Sequence, residues 1–144
     1  MLVQHILKSK ASDSVVTVKP NSLVREAAQI LASKKIGTVV VSKDGETADG
    51  ILSERDIVRE LANKGAPCLA ETVNAYMTSK LVTCTRADSA DSVLSKMTKG
   101  RFRHMPVVED GKLVGLITLG DVVKARLAEL AMEKDALEGM IMGH

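Results

Sequence analysis

The chain has 144 residues, of which 45% are hydrophobic, and it contains one Tyr, one Phe and no Trp. This length suits one domain or one tight pair of domains, whose core must be aliphatic. A net charge of +2 and the lack of aromatic side chains to stack on bases argue against a nucleic-acid-binding protein. No apolar run approaches the ~18 residues that span a bilayer, and residues 1–5 lack the pattern of a signal peptide. We therefore expect no membrane contact and a cytoplasmic location.

The predicted elements of the first half follow the order β-α-β-β-α. A β-branched run stops at Pro20, and Ser22 opens an amphipathic helix that reaches about Ser33. A short apolar strand, a hairpin turn and a returning strand follow before the second helix begins at Ser53. The predicted strands are residues 15–18, 38–42 and 50–52, and the turn is residues 43–45.

The second half has the same predicted order, with a turn at residues 110–111, a strand at 113–117 and a helix from Thr118. Residues 126–140 are helical by composition, and are predicted to be either a solvated helix that caps the fold or a dimer contact. Apolar periodicity places one set of residues on the inner faces of the two unit-ending helices. That set is Ile57, Val58, Leu61, Val122, Val123, Leu127 and Leu130.

The chain repeats itself. The stretch Gly50-Ile51-Leu52-Ser53-Glu54-Arg55-Asp56 returns 65 positions later as Gly115-Leu116-Ile117-Thr118-Leu119-Gly120-Asp121. Upstream the shift is 66 positions, because the first copy carries one extra residue near Ala48 and Asp49. This shift aligns Ser22 with Asp88, and both are predicted helix N-caps. We divide the chain into units 1–70 and 71–144, which form one globular body because each is too small for much independent stability.

Each copy ends its last strand in a hydroxyl residue followed three positions later by aspartate. Taken singly, Ser53-x-x-Asp56 and Thr118-x-x-Asp121 are capping boxes. Repeated at matched places after a glycine-headed strand, they predict two clefts, each floored by a helix N-terminus whose amides and dipole favour phosphate. A carboxylate at the rim of such a cleft accepts two hydrogen bonds from ribose hydroxyls, so the pattern favours a nucleotide.

These two motifs, together with Arg103-His104-Met105-Pro106-Val107-Val108 before Asp110-Gly111, make the whole chain resemble a pair of CBS (cystathionine β-synthase) domains. The resemblance implies an α/β (α+β) fold in which two β-α-β-β-α repeats pack about a pseudo-two-fold axis as a Bateman module. It implies adenosine-containing ligands, with AMP as the first expectation and ATP, ADP, NAD(H) or S-adenosylmethionine as alternatives. It also implies a homodimer.

The resemblance assigns roles residue by residue. Asp56 and Asp121 would hold ribose hydroxyls, and Ser53 and Thr118 would bond ribose or phosphate. Arg103 and His104 would contact phosphate, although His104 is equally explained as a hydrogen-bonded residue at a strand edge, and Arg55 lies beside the first aspartate. The adenine slots would be lined by Ile36, Gly37, Thr38, Val39, Phe102, Arg103, His104, Met105 and Pro106. Thr17, Val18, Lys19, Thr83, Cys84 and Thr85 would close them from the other side.

The two copies differ, since Gly37-Thr38 in one faces Arg103-His104 in the other, so two unequal sites are expected. No nucleophile-base arrangement or metal-ligand spacing indicates an enzyme or a required cofactor. Cys68 and Cys84 are scattered, which indicates reduced core thiols. Two hypotheses stay open. One is a nucleotide sensor that acts in trans on an unknown protein partner, and the other is a ligand-independent dimeric interaction module.

Overall fold

The computed structural model describes residues 1–10 and 15–141. These residues form five α-helices and five strands, with two short 3-10 turns between the halves. The helices are α1 (Val3–Ser9), α2 (Val24–Lys34), α3 (Glu54–Lys64), α4 (Ala90–Gly100) and α5 (Leu119–Ile141). The strands are β1 (Thr17–Val18), β2 (Thr38–Val41), β3 (Gly50–Ser53), β4 (His104–Glu109) and β5 (Lys112–Thr118). The 3-10 turns are Ala66–Ala70 and Val73–Ala75.

The first repeat forms a three-stranded sheet in the order β1-β2-β3. β2 pairs in parallel with β1 and antiparallel with β3, and all four of its residues are buried. This burial explains why the strand reads as an unbroken apolar run rather than an alternating one. The predicted mixed helix and strand content and the two repeats are therefore confirmed.

The second repeat keeps the hairpin but reduces its first strand. β4 and β5 form a two-stranded antiparallel sheet with a register shift between Val107 and Val108. Where the first repeat has β1, the second has a single parallel bridge from Cys84 to Val107. Its hairpin turn is Asp110-Gly111, with φ of 51° and 77°, as the sequence predicts for a tight two-residue connection.

The two hydrophobic cores exchange segments between the halves of the chain. Val3 and Ile6 of α1 are buried in the core of the second repeat, against residues of α4, β4 and α5. Val73, with the partly buried Tyr76 and Met77, packs in the core of the first repeat. The packing boundary therefore differs from the division at residues 70 and 71, since each core takes in a segment from the other half. This exchange ties the two repeats together.

Two helix starts differ from the prediction. α2 has Leu23 at its N-cap with no side-chain hydrogen bond, while α4 is capped by Ser89, whose hydroxyl accepts from the amide of Ser92. Ser22 and Asp88 are therefore not the caps. The Asp88 carboxylate instead accepts from the amide of Thr85 and closes the turn before the helix, a local use for which aspartate is well suited.

The inner faces of α3 and α5 are narrower than predicted. Ile57 and Val122 are buried, at 6% and 0% exposure. Five other apolar residues assigned to these faces are exposed, by 37% to 63%: Val58, Leu61, Val123, Leu127 and Leu130. The prediction was wrong for these five because a wide apolar stripe exceeds what one neighbouring layer can cover. We call these five residues the outer apolar face.

The turn glycine of the second hairpin is expected to contribute to the stability of the fold through its backbone conformation. Gly111 has a φ of 77°, and a Cβ there would meet no atom within 4 Å, so backbone strain alone opposes a side chain. We expect Gly111→Ala to lower the free energy of unfolding by about 1 kcal/mol in urea denaturation. Gly120→Ala is the control, because this glycine lies in α5 with no positive φ and its nearest contact would be 3.8 Å away. An equal loss in both variants would contradict the assignment.

Among the described residues, no helix combines the length and the apolar character that a membrane span requires.

Candidate nucleotide site

Two clefts lie where the repeats meet, and each draws on both halves of the chain. The larger, of about 820 Å³, contains Ser53 and Asp56 from the first repeat and Phe102 and Arg103 from the second. The smaller, of about 580 Å³, contains Ile36 and Thr38 from the first repeat and Thr118 from the second. We call them the Asp56 cleft and the Asp121 cleft, after the capping-box carboxylate nearest to each.

Both capping boxes are formed. The Ser53 hydroxyl accepts from the Asp56 amide at 3.2 Å, and Asp56 Oδ2 accepts from the Ser53 amide at 2.9 Å. The equivalent distances between Thr118 and Asp121 are 3.1 and 3.0 Å. The structural interpretation of the motif is thus confirmed, and each box also fixes a carboxylate and a hydroxyl beside its cleft.

The helix N-termini offer phosphate fewer amides than the sequence suggests. The amide of Glu54 donates to the carbonyl of Gly37, and that of Leu119 donates to the carbonyl of Arg103. Because the Asp56 and Asp121 amides also donate to their capping hydroxyls, two amides in the first turn of each helix are already engaged. Side-chain cations must therefore supply most of the attraction for a phosphate group.

The Asp56 cleft is strongly cationic. Arg55 of the first repeat and Arg103 of the second both line it, so the cations that the sequence placed on opposite copies meet in one cleft. The five Lys and Arg residues that line it, against Glu54 and Asp56, are Arg55, Arg59, Lys80, Arg101 and Arg103. Arg59 Nη2 lies 2.9 Å from Asp56 Oδ1, but its side chain is 58% exposed, so its ion pair with Asp56 is a weak and replaceable one.

The Asp121 cleft is organised differently, around Lys10. Lys10 Nζ donates to Asp121 Oδ2 and to the carbonyl of Leu116, both at 2.9 Å. Burial by itself raises the pKa of Asp121, but the Thr118 amide and the Lys10 ammonium outweigh it, so the pKa lies below its ordinary value. Lys10 and Thr118 line this cleft, whereas the capping carboxylate itself does not appear on its wall.

His104 stands where the two clefts adjoin and lines both. Its Nδ1 lies 3.3 Å from the hydroxyl of Thr38, which is its counterpart in the first repeat. Burial, reinforced by the nearby Arg103 charge, lowers the pKa of His104 below 6.5. The ring is therefore neutral at pH 7, and any phosphate contact at that pH would be a hydrogen bond rather than an ion pair.

The pKa of His104 predicts a loss of stability on mild acidification. The unfolded chain takes up a proton at this residue near pH 6.5, whereas the folded chain resists it to a lower pH. Stability from this source is present above pH 6.5 and falls as pH is lowered towards 5. We expect urea unfolding of His104→Gln to show a smaller decrease between pH 7.5 and 5 than wild type. Parallel pH profiles would contradict this role.

Asp121 contributes separately to the pH dependence of stability. Because its pKa is lowered in the folded chain, its effect is confined to pH values below about 4.

Some residues predicted to line the clefts lie elsewhere. Val39, Met105 and Pro106 are buried inside their sheets. On the other wall, Leu81 and Val82 line the Asp56 cleft, and Val15 and Val16 line the Asp121 cleft. The residues that follow them on each chain segment are not on the wall: Val18 and Cys84 are buried in the cores, whereas Lys19, Thr83 and Thr85 are exposed. The residues not on the wall are Thr17, Val18, Lys19, Thr83, Cys84 and Thr85.

The two cysteines are free and buried. Burial, with a smaller contribution from Asp88, raises the pKa of Cys84 to about 12. The thiol therefore stays protonated and packs as a small apolar side chain, which fits the predicted core role. Within the described parts of the chain, no three His, Cys, Asp or Glu side chains are grouped to hold a metal ion.

Sequence reasoning missed Lys10, Arg59, Lys80 and Arg101 as cleft residues. Lys80 directly precedes Leu81 and Val82 on the cleft wall and stands three residues before the predicted wall segment, so its position could have been inferred. Lys10 lies 111 residues from its partner Asp121, and no periodicity links such distant positions. This ion pair could be inferred only after α1 was known to pack against the second repeat.

Comparison with known proteins places the chain in a family. The family model of the CBS domain matches residues 3–63 and again residues 73–128. The chain therefore belongs to the CBS domain family, with two copies of the domain.

Solved structures support the same assignment. The CBS-domain containing protein ATU1752 from Agrobacterium tumefaciens is 44% identical, with a TM-score of 0.82, covering 88% of this chain and 99% of that one. The CBS domain protein PAE2072 from Pyrobaculum aerophilum, complexed with AMP, is 26% identical, with a TM-score of 0.78 and coverage of 92% and 99%. The CBS domain pair of protein MJ0100, in complex with 5-methylthioadenosine and S-adenosyl-L-methionine, is 28% identical, with a TM-score of 0.78 and coverage of 90% and 98%.

Proposed function

We propose that the chain is a regulatory module that binds an adenine nucleotide between its CBS repeats and acts on a protein partner in trans. The observation that carries this proposal is the pair of pseudo-symmetric clefts, each with a capping-box carboxylate held beside it. Such a carboxylate can accept the 2′- and 3′-hydroxyls of a ribose. The AMP complex of one structural relative and the S-adenosylmethionine complex of another support the same ligand class.

The Asp56 cleft is the proposed principal site for a phosphorylated ligand. Five Lys and Arg side chains line it, against only Lys10 and Lys34 in the Asp121 cleft, so a phosphate group gains more attraction there. Asp56 would hold the ribose, Ser53 would bond ribose or phosphate, and Arg55 and Arg103 would contact phosphate. AMP is the first candidate, followed by ATP and NAD(H). A cationic ligand such as S-adenosylmethionine fits this cleft less well and suits the less cationic Asp121 cleft.

A ligand bound between the repeats touches both, so its binding energy can change their relative arrangement or rigidity. For this to be regulatory, a partner must bind one arrangement better than the other. The rival hypothesis, a ligand-independent interaction module, predicts no effect of any nucleotide on stability.

Thermal unfolding of the purified protein with AMP, ATP, NADH and S-adenosylmethionine in turn distinguishes the two hypotheses. A ligand at about 100 times its Kd adds ~2.7 kcal/mol to the free energy of unfolding, which raises Tm by several degrees at this chain length. A selective increase supports the sensor. No increase with any of the four would favour the interaction module.

We also propose that the outer apolar face is covered by a second copy of the chain. Val58 of α3 and Val123 of α5 are counterparts in the repeat, and both are exposed, at 63% and 41%. An apolar surface shared by both repeats in this way suits a symmetric contact between two copies. The far end of α5 adds further exposed apolar residues, Leu137 and Ile141.

The proposed dimer predicts that charge on this face separates the copies. We expect the double variant Val58→Glu/Leu127→Glu to sediment as a monomer while wild type sediments as a dimer, because four buried carboxylates would face apolar partners. The matched control is Lys43→Glu on the first hairpin, which is exposed and away from this face. A monomeric wild type, or a double variant that remains dimeric, would contradict the proposed contact.

A further inference from the structure

Lys10 and Lys80 lie at equivalent positions in the two repeats. Lys10 lines the Asp121 cleft and Lys80 lines the Asp56 cleft. Leu7 packs over Gly115 and Met77 packs over Gly50, so closely that a Cβ on either glycine would lie within 2.8 Å of the covering side chain. Lys10 comes three residues after Leu7, and Lys80 comes three residues after Met77. Each lysine lines one cleft. The two lysines therefore occupy equivalent places in the two repeats, although neither belongs to the repeated motif.

Their surroundings differ. The Lys10 ammonium is held by two acceptors, Asp121 Oδ2 and the carbonyl of Leu116, each at 2.9 Å. The side chains of this ion pair are only 26% and 23% exposed. In the other cleft the capping carboxylate is paired with Arg59, whose side chain is 58% exposed. The Asp121 carboxylate is therefore held by a fixed cation, while Asp56 is held by a replaceable one.

We infer that Lys10 is an internal competitor for the ribose position of the Asp121 cleft and controls which ligands that cleft accepts. The inference rests on the proposed function. The ammonium occupies Oδ2 of Asp121 and stands on the wall of the cleft, where Asp121 does not. A ribose diol that bonds both carboxylate oxygens reaches Oδ2 only after Lys10 has left it. The carboxylate is then freed, and the displaced ammonium makes the cleft more favourable for an anionic ligand.

The competition has a distinct signature with an uncharged ligand. Adenosine offers the ribose but no phosphate, so it must break the ion pair without gaining a new contact for the ammonium. Salt screens the Lys10–Asp121 attraction, so the affinity of wild type for adenosine should rise as ionic strength is increased. Where a lysine merely supports the local structure, salt would leave adenosine affinity unchanged or lower it.

The test is calorimetric titration of adenosine into full-length protein carrying Asp56→Asn, which weakens the other cleft. Adding Lys10→Met should tighten binding about two- to fivefold, the equivalent of a partly exposed ion pair, and should remove the salt dependence. Lys10→Arg should bind within about twofold of its parent because it retains the pair. Lys8→Met removes the same charge from an exposed position on α1 and should bind like its parent.

Equal or weaker adenosine binding by Lys10→Met would overturn the inference while leaving the proposed function intact. Binding detected only in Lys10→Met would support it. Absence of adenosine and AMP binding from the wild-type protein and from every variant would instead refute the proposed function, and the inference with it. Circular dichroism melts of each variant confirm that the compared proteins are folded.

Discussion

Replacing both capping-box carboxylates, in Asp56→Ala/Asp121→Ala, is expected to weaken nucleotide binding at both clefts while the protein remains folded. Each carboxylate would accept a pair of ribose hydroxyls, and loss of charged hydrogen bonds of this kind costs about 1–3 kcal/mol per site. That loss corresponds to a decrease of roughly fivefold to 150-fold in affinity at each cleft. The measurement is calorimetric titration with AMP of wild type, both single variants and the double variant.

The single variants carry information about the two clefts separately. Because the Asp56 cleft holds the greater cationic charge, Asp56→Ala should weaken AMP binding more than Asp121→Ala. Asp135→Asn, on the exposed part of α5, is the matched control and should bind as wild type does. An unchanged affinity in the double variant would remove the ribose assignment from both residues.

The largest effect on stability is expected from Leu52→Ala and its counterpart Ile117→Ala. Both side chains are 0% exposed, one in each core. Removing buried methyl and methylene groups leaves a cavity that the surrounding sheet and helix cannot fully close, which costs about 2–5 kcal/mol. Against a total stability of roughly 5–15 kcal/mol, this is a severe loss, and urea unfolding monitored by circular dichroism measures it.

The pair of variants also tests whether the exchanged segments join the two repeats into one cooperative unit. If they do, either variant lowers the single unfolding midpoint of the whole chain. Val82→Ala, at a position that is 44% exposed and outside the proposed dimer contact, serves as the control with little expected effect. Two separate transitions, with only one of them moved by each variant, would contradict cooperative folding of the repeats.

The sequence predicted those features that local chemistry determines. The capping boxes at Ser53 and Thr118 formed as expected because a hydroxyl and an aspartate three residues apart satisfy each other's amides. The Asp110-Gly111 turn formed because glycine adopts a positive φ without strain. Repetition of these signals was sufficient to predict two copies of one fold.

Features that depend on distant contacts could not be predicted in the same way. Periodicity identified the apolar stripe on α3, but it could not show that Ile57 faces the core while the adjacent Val58 faces outward. The ion pair between Lys10 and Asp121 depends on α1 crossing to the second repeat. On the other wall, the residues that line the clefts lie about two positions before the predicted ones, and segments this short give no alternating pattern to read.

The most direct test of the central claim is a calorimetric titration of the wild-type chain with AMP at low ionic strength. The proposed function predicts saturable binding, with one tight site per chain at the cationic Asp56 cleft and a weaker site or none at the Asp121 cleft. Absence of heat and of saturation with AMP, repeated with ATP, NADH and S-adenosylmethionine, would contradict it and leave the clefts without a nucleotide role.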